Sequence, residues 1–248
     1  MPVTFLDWIV LFIKEYGPLF LSGAGTTLLL ALIGTAAGFV LGLLVAIVRA
    51  VPLAKDDLFL KRIFMKIVNA LLVVYIEFFR ATPMIVQAML IYYGLGFAGI
   101  NIPELPAGLL VISINTGAYM AEIVRGGILS IDKGQTEGAQ SIGMTHWQTM
   151  TTVVLPQAIR NIMPALGNEF VINIKDGAVL SVIGVTELFF QTKSAAGTYA
   201  QYFPAFAITC AIYLVMTVAI TRLLMVLEKR MDGPASYVVK EALKKRST

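Results

Sequence analysis

Long apolar runs separated by short polar segments set the pattern of this chain. Residues 16 to 48 carry no charged side chain, and neither do residues 194 to 221. About 20 apolar residues cross a bilayer as a helix, so both runs suffice on length alone. Three further runs keep the length and hydrophobicity but contain charges. The pattern predicts five transmembrane helices, at about 20–48, 68–94, 106–128, 164–186 and 203–227. Short segments of alternating polarity, which a membrane barrel needs, are not visible. Only helices and closed barrels satisfy their own backbone in lipid. The expected fold class is therefore all-α and integral to the membrane, one domain over residues 1–248. Residues 1–13, the greater part of an N-terminal segment 1–16, are apolar but short, with no preceding basic run and no small-residue cleavage site. They read as a peripheral segment on the membrane surface, with Trp8 and Tyr16 suited to its interface.

Composition agrees. Hydrophobic residues make up 58% and charged residues 14% of the chain, against roughly 25% charged in a soluble domain. Mean hydropathy is +0.81. One Cys, Cys210, and one His, His146, build neither an intrachain disulfide nor an all-protein zinc site.

Basic residues set the expected orientation. Arg49, Lys55, Lys61, Arg62 and Lys66 follow span one, and Arg125, Lys133 and Arg160 lie between spans three and four. Arg222, Lys229, Arg230, Lys240, Lys244, Lys245 and Arg246 close span five and the tail, 232–248. These positions hold 15 of the 19 Lys and Arg. The positive-inside rule then puts the N-terminus outside and the C-terminus in the cytoplasm of a multi-pass cell-membrane protein. The net charge of +4 reflects that asymmetry and lipid headgroups; no nucleic acid is needed to explain it.

Charges inside the spans are the candidate chemistry, because each is costly and usually faces a cavity or partner. Glu77, Arg80, Met84 and Gln87 are spaced three, four and three apart in span two and so share one helix face. Asn115, Ala118, Glu122 and Arg125 do the same in span three, and Glu169, Asn173 and Asp176 in span four. Lys175 points about 100° away from Asp176. Three polar stripes suggest a common seam around a substrate pathway. A carboxylate and an ammonium could meet the two ends of a zwitterionic ligand. Glu77 with Arg80, and Glu122 with Arg125, also fit structural i,i+3 pairs. Pro83 should kink span two. Gly34, Gly38 and Gly42 read as a helix-packing row.

The polar segment between spans three and four carries Glu137-Gly138-Ala139, three residues, Gly143, nine residues, Val153, one more, then Leu155-Pro156. That spacing resembles the EAA loop of ABC-transporter permeases, with Gly138 in place of the usual first Ala. Phe79-Arg80-Ala81-Thr82-Pro83, Asn115-Thr116-Gly117-Ala118-Tyr119 with Ala121-Glu122, and Gly167-Asn168-Glu169-Phe170 with Lys175-Asp176 resemble the polar amino-acid uptake branch of type I importers. Gly177-Ala178 stand where relatives often carry Ser or Thr. The resemblance implies a five-helix permease pairing with a second copy or a sister permease. It implies two cytoplasmic ATPase subunits and an extracytoplasmic amino-acid-binding protein. The loop 132–156 would then hold a coupling helix seated on the ATPase. Glu137, Gly138, Ala139, Gly143, Leu155 and Pro156 would be its coupling residues. Glutamine or glutamate is the expected cargo, with arginine, histidine or cystine as alternatives.

The chain has no Walker-type phosphate loop. ATP and Mg would be bound by the partner subunits, and no cofactor or metal is expected on this chain. No nucleophile–base pair suggests an intramembrane hydrolase. The alternative from another class is a stand-alone carrier or channel, although five spans without an internal repeat fit an inverted-repeat carrier poorly.

Overall fold

Helix starts and stops along the chain follow from local chemistry. The structure, a computed structural model, describes residues 2–51 and 58–246, with side chains as far as Arg230. Lys55 and the tail cations Lys240, Lys244, Lys245 and Arg246 fall outside the described side chains. The first helix, α1, runs Phe5–Arg49. Thr4 starts it: the Asp7 amide donates to Thr4 Oγ1 and the Thr4 amide donates to Asp7 Oδ2, a reciprocal cap. The N-terminal stretch, expected as a separate surface segment, thus runs into the first span without a break. At about 1.5 Å per residue the 45-residue helix is about 68 Å long, roughly twice a hydrocarbon core.

Helix α2 spans Phe59–Ala81 and α3 spans Met84–Phe97. The expected kink is a full break at Thr82-Pro83. Pro83 has no amide to continue the ladder, and the residue before a proline is driven out of the α region. Thr82 is accordingly extended, at φ −113° and ψ 147°. Helix α4 covers Glu104–Leu129, α5 Lys133–Ser141 and α6 His146–Thr149. A π-helical turn, Met150–Val154, leads into α7, Leu155–Asp176. A 3₁₀ stretch, Gly177–Ile183, ends at Gly184 with φ +90°. Helices α8, Leu188–Tyr199, and α9, Tyr202–Arg246, complete the chain.

Among the described residues three helices are long and apolar enough to cross a membrane: α1, α4 and the Tyr202–Arg230 part of α9. Helix α3 is apolar but shorter. Helix α2 carries Lys61, Arg62, Lys66, Glu77 and Arg80, and α7 carries Arg160, Glu169, Lys175 and Asp176.

Lipid tails are as apolar as Leu, so helix association in a membrane rests on close packing and buried hydrogen bonds. Both are found between α1 and α4. A Cβ built on Gly34 would fall 2.6 Å from Ile112 Cγ2, and one on Gly38 would fall 2.6 Å from Thr116 Cβ. Gly42 meets Met120 in the same way. Both helices advance four residues per step in the same direction, so the pair is parallel and in fixed register. The core around it joins Leu30 of α1, Ala88 of α3 and Val111 and Ile112 of α4 to Leu180 and Ile183 of the 3₁₀ stretch. A second core sets Phe12, Phe20 and Ala24 against Leu188, Ala195 and Ala205. A third packs Ala46, Val124 and Ile162 where α1, α4 and α7 meet.

Candidate functional site

The intramembrane polar residues form four separate groups instead of one seam. The first is the repair of the α2–α3 break. Without an amide on Pro83, the Phe79 carbonyl loses its helical donor. Gln87 supplies one: its Nε2 donates to Phe79 O at 2.9 Å, Thr82 O at 2.8 Å and Thr82 Oγ1 at 2.8 Å. Its Oε1 accepts from Asn115 Nδ2 at 2.8 Å. Gln87 is 1% exposed. It therefore does not share an open face with Glu77 and Arg80, which are exposed on the other side of the break. The predicted span-two stripe assumed a continuous helix, and the break rotates its second half away.

The second group is a buried three-helix junction. Asn173 Nδ2 donates to Thr35 Oγ1 at 2.8 Å and to Thr116 Oγ1 at 3.0 Å. This ties α7 to α1 and α4 beside the Gly38 crossing.

The third group is ionic. Glu122 accepts from Arg49 Nη1 at 2.7 Å and from Arg125 Nη2 at 2.8 Å. Arg80 lies over the Tyr119 ring, 5.7 Å from its centroid. Arg49, Glu77, Arg80 and Glu122 line one cavity of about 210 Å³. The i,i+3 pairing expected for Glu122 and Arg125 is present, with Arg49 of α1 as a further partner.

The fourth group is open. Lys175 and Asp176 are exposed at the end of α7. Lys175 lines a groove of about 500 Å³ between α7 and α9 with Thr217, Thr221 and Arg222. Neither Lys175 nor Arg222 has a hydrogen-bond or ion-pair partner among the described residues. Glu169 is 8% exposed and does not line that groove.

The EAA-like segment divides into two parts. Within α5 only Ala139 is buried, while Glu137 and Gly138 are exposed. The helix ends at Gly143, φ +84°, whose amide donates to Gln140 O while that of Met144 donates to Ala139 O. That is a Schellman end, which favours glycine because its C′ residue is left-handed. A Cβ on Gly138 or Gly143 would meet nothing of this chain. Leu155 and Pro156 open α7 behind the π-helical turn. Gln157 Nε2 to Gln135 Oε1, 3.3 Å, and Asn161 Nδ2 to Ser130 Oγ, 3.0 Å, tie α7 to the α4–α5 region.

Sequence inspection missed Glu187 and Arg222. Glu187 is fully buried and caps α8, accepting from the Phe189 and Phe190 amides at 2.8 and 2.7 Å and from the Tyr213 hydroxyl at 3.1 Å. Burial pushes its carboxyl above the usual range, against the pull of those donors. The polar Thr186-Glu187 pair before an apolar run was its only sequence signal. Arg222 counted only as a cytoplasmic end charge. Among the described residues no group of three His, Cys, Asp or Glu is placed to hold a metal ion.

An all-helical bundle with intramembrane charges and an exposed polar loop helix fits one class, a membrane transport subunit. Residues 58–233 match the family described as binding-protein-dependent transport system inner membrane component. The chain belongs to that family and is the permease subunit of an importer. It is 38% identical over 219 residues to the glutamine transport system permease protein GlnP of Escherichia coli strain K12, covering 86% of this chain and 93% of that protein. The probable glutamine ABC transporter permease protein GlnM of Bacillus subtilis strain 168 is 33% identical over 86% of this chain and 94% of its own length. The crystal structure of an amino acid ABC transporter with histidines shares 40% identity and a TM-score of 0.79, over 93% of this chain and 100% of that one. An inward-facing MetNI methionine ABC transporter matches at 19% identity and a TM-score of 0.72, a likeness of fold alone. The type I importer fold expected from the EAA-like spacing is thus the fold observed.

Proposed function

We propose that this permease carries a polar amino acid inward, with glutamine or glutamate as first candidates, and that it passes the membrane five times with its N-terminus outside. In this reading α2 with α3, and α7 with the 3₁₀ stretch, supply the two passes that are not apolar enough alone. A second permease, identical or related, covers the face bearing Lys175 and Asp176. Two ATPase subunits bind ATP and Mg and seat α5, where Glu137 and Gly138 are exposed and Gly143 fixes the end. Leu155 and Pro156 pass that movement to α7. An extracytoplasmic binding protein delivers the amino acid.

The observation that carries the substrate reading is the exposed Lys175–Asp176 pair beside a groove holding a second unpaired cation, Arg222. Charges at membrane depth are costly against lipid. An ammonium and a carboxylate close together suit the two ends of an amino acid. Glu77, Arg80, Glu122 and Glu169 set the field along the path, and Gln87, Asn115 and Asn173 hold its walls.

Purification from native membranes in mild detergent tests the assembly, and uptake by the reconstituted complex tests the cargo. A stoichiometric ATPase that is lost when residues 137–143 are disrupted supports the reading, as does ATP-dependent uptake of glutamine or glutamate. A chain that purifies alone and moves solute in liposomes without ATP would overturn it in favour of a self-sufficient carrier.

A further inference from the structure

Behind α5, where α4 ends and the π-helical turn begins, lies a cavity of about 190 Å³ that none of the four groups above uses. Its polar lining is Lys133, Thr136, His146 and Thr149. Its apolar lining comes from the end of α4, including Leu129, and from Met150 and Val154 of the π-helical turn. No acidic side chain lines it.

Thr149 supplies an independent observation. It is 2% exposed, and its hydroxyl has no hydrogen-bond partner. Buried hydroxyls are nearly always paired, and each exception asks for an explanation. The Lys133 and His146 side chains also make no hydrogen bond or ion pair among the described residues. The residues that follow Thr149 adopt a π-helical turn, a conformation found often at functional sites.

We propose that this cavity binds the phosphate group of an anionic phospholipid from the cytoplasmic leaflet. The inference rests on the orientation proposed above, which puts the α4–α5 junction at that leaflet. The Lys133 ammonium faces the phosphate charge. The hydroxyls of Thr136 and Thr149 donate to its oxygens. The apolar side, opening toward Leu129, which is 69% exposed, receives the glycerol and the first acyl carbons. A lipid held here touches α5 and the π-helical turn together, so membrane composition bears directly on the segment proposed to meet the ATPase.

The test is native mass spectrometry of the full-length chain with its co-purifying subunits, delipidated and titrated with phosphatidylglycerol, phosphatidylcholine or inorganic phosphate. One tightly held phosphatidylglycerol per permease is expected, with phosphatidylcholine bound more weakly. Lys133→Gln should weaken it about fivefold. Thr149→Val should also weaken it without lowering thermal stability, since the hydroxyl it removes has no partner in the chain. Lys193→Gln, on α8, should leave it unchanged. Wild-type phosphatidylglycerol binding by Lys133→Gln and Thr149→Val would overturn the site. Inorganic phosphate binding as tightly as the lipid, with the same losses in the variants, would assign the cavity to free oxyanions and overturn the lipid. Transport is not measured here, so failure of the amino-acid reading and failure of this site are separately visible.

Discussion

Gln87→Leu is the most direct test of how the chain tolerates its broken second span. The substitution nearly conserves volume at a position that is 1% exposed. It removes the donor to the Phe79 and Thr82 carbonyls and the acceptor for Asn115. Buried hydrogen bonds between membrane helices average about 0.6 kcal/mol and reach about 1.7. Leaving buried polar groups unsatisfied costs about 1–3 kcal/mol each. Four groups lose a partner, Phe79 O, Thr82 O, Thr82 Oγ1 and Asn115 Nδ2, but Phe79 O keeps a long bond from Asn115 Nδ2 at 3.4 Å, so the expected loss is about 2–4 kcal/mol. At about 2–4 °C per kcal/mol for a chain of this size, apparent melting should fall by roughly 5–15 °C. Fluorescence-detected size exclusion after heating in detergent reads that shift. Pro83→Ala sharpens the argument. It returns an amide to position 83 and so a donor to Phe79 O, and in the Gln87→Leu background it should recover part of the loss. Unchanged melting in Gln87→Leu, or strict additivity of the two substitutions, would refute the view that Gln87 stands in for the missing proline amide.

Gly143→Val places a β-branched residue at φ +84°, where an ordinary L-residue already pays about 1–2 kcal/mol. Uptake should be uncoupled from ATP hydrolysis while the chain stays in the membrane, and normal uptake by that variant would count against the coupling role. Asp176→Asn removes a charge proposed to meet an ammonium. Charged hydrogen bonds contribute about 1.5–3 kcal/mol, so KM should rise roughly ten- to a hundredfold in transport assays; unchanged uptake and specificity would remove Asp176 from the site. Glu187 has a folded pKa raised by burial. Its contribution to stability is full below its unfolded value of about 4.3 and declines as pH rises through the raised folded value. Glu187→Gln should therefore flatten the fall in melting temperature from acidic to alkaline pH, and parallel pH profiles for the two proteins would contradict that.

Much of the fold was legible because lipid leaves the backbone few choices. The uncharged runs at 16–48 and 194–221 fall in α1 and in α8–α9, and Pro83 marks the place where the second span breaks. Gly34, Gly38 and Gly42 were legible as packing residues because four-residue spacing of small side chains has few other uses. Side-chain destinations were less legible. Helical spacing put Gln87 beside Arg80, but spacing holds only while the helix does, and the residue that breaks the helix also turns Gln87 inward. Asn173 was grouped with Asp176 from its spacing along α7; its true partners lie on α1 and α4, and no local pattern announces them. Helix α8 was hidden because it is short, with Gln191, Thr192, Lys193 and Ser194 at its centre, and its last residues merge into the uncharged run that leads into α9. The π-helical turn has no signature in Met150-Thr151-Thr152-Val153-Val154 that separates it from an ordinary helix start.

The Asn173 junction has a mechanical consequence. A side chain hydrogen-bonded to two neighbouring helices at one level acts as a pivot. It resists sliding of α7 along its own axis, because sliding breaks both bonds at once, while tilting about Asn173 strains them little. Leu155 lies near one end of that lever and Lys175 lies just beyond the pivot at the other. If α7 tilts as one unit about Asn173, a push at the Leu155 end would reach Lys175 as a smaller swing in the opposite direction, the long arm lying toward α5 and the short arm toward the groove.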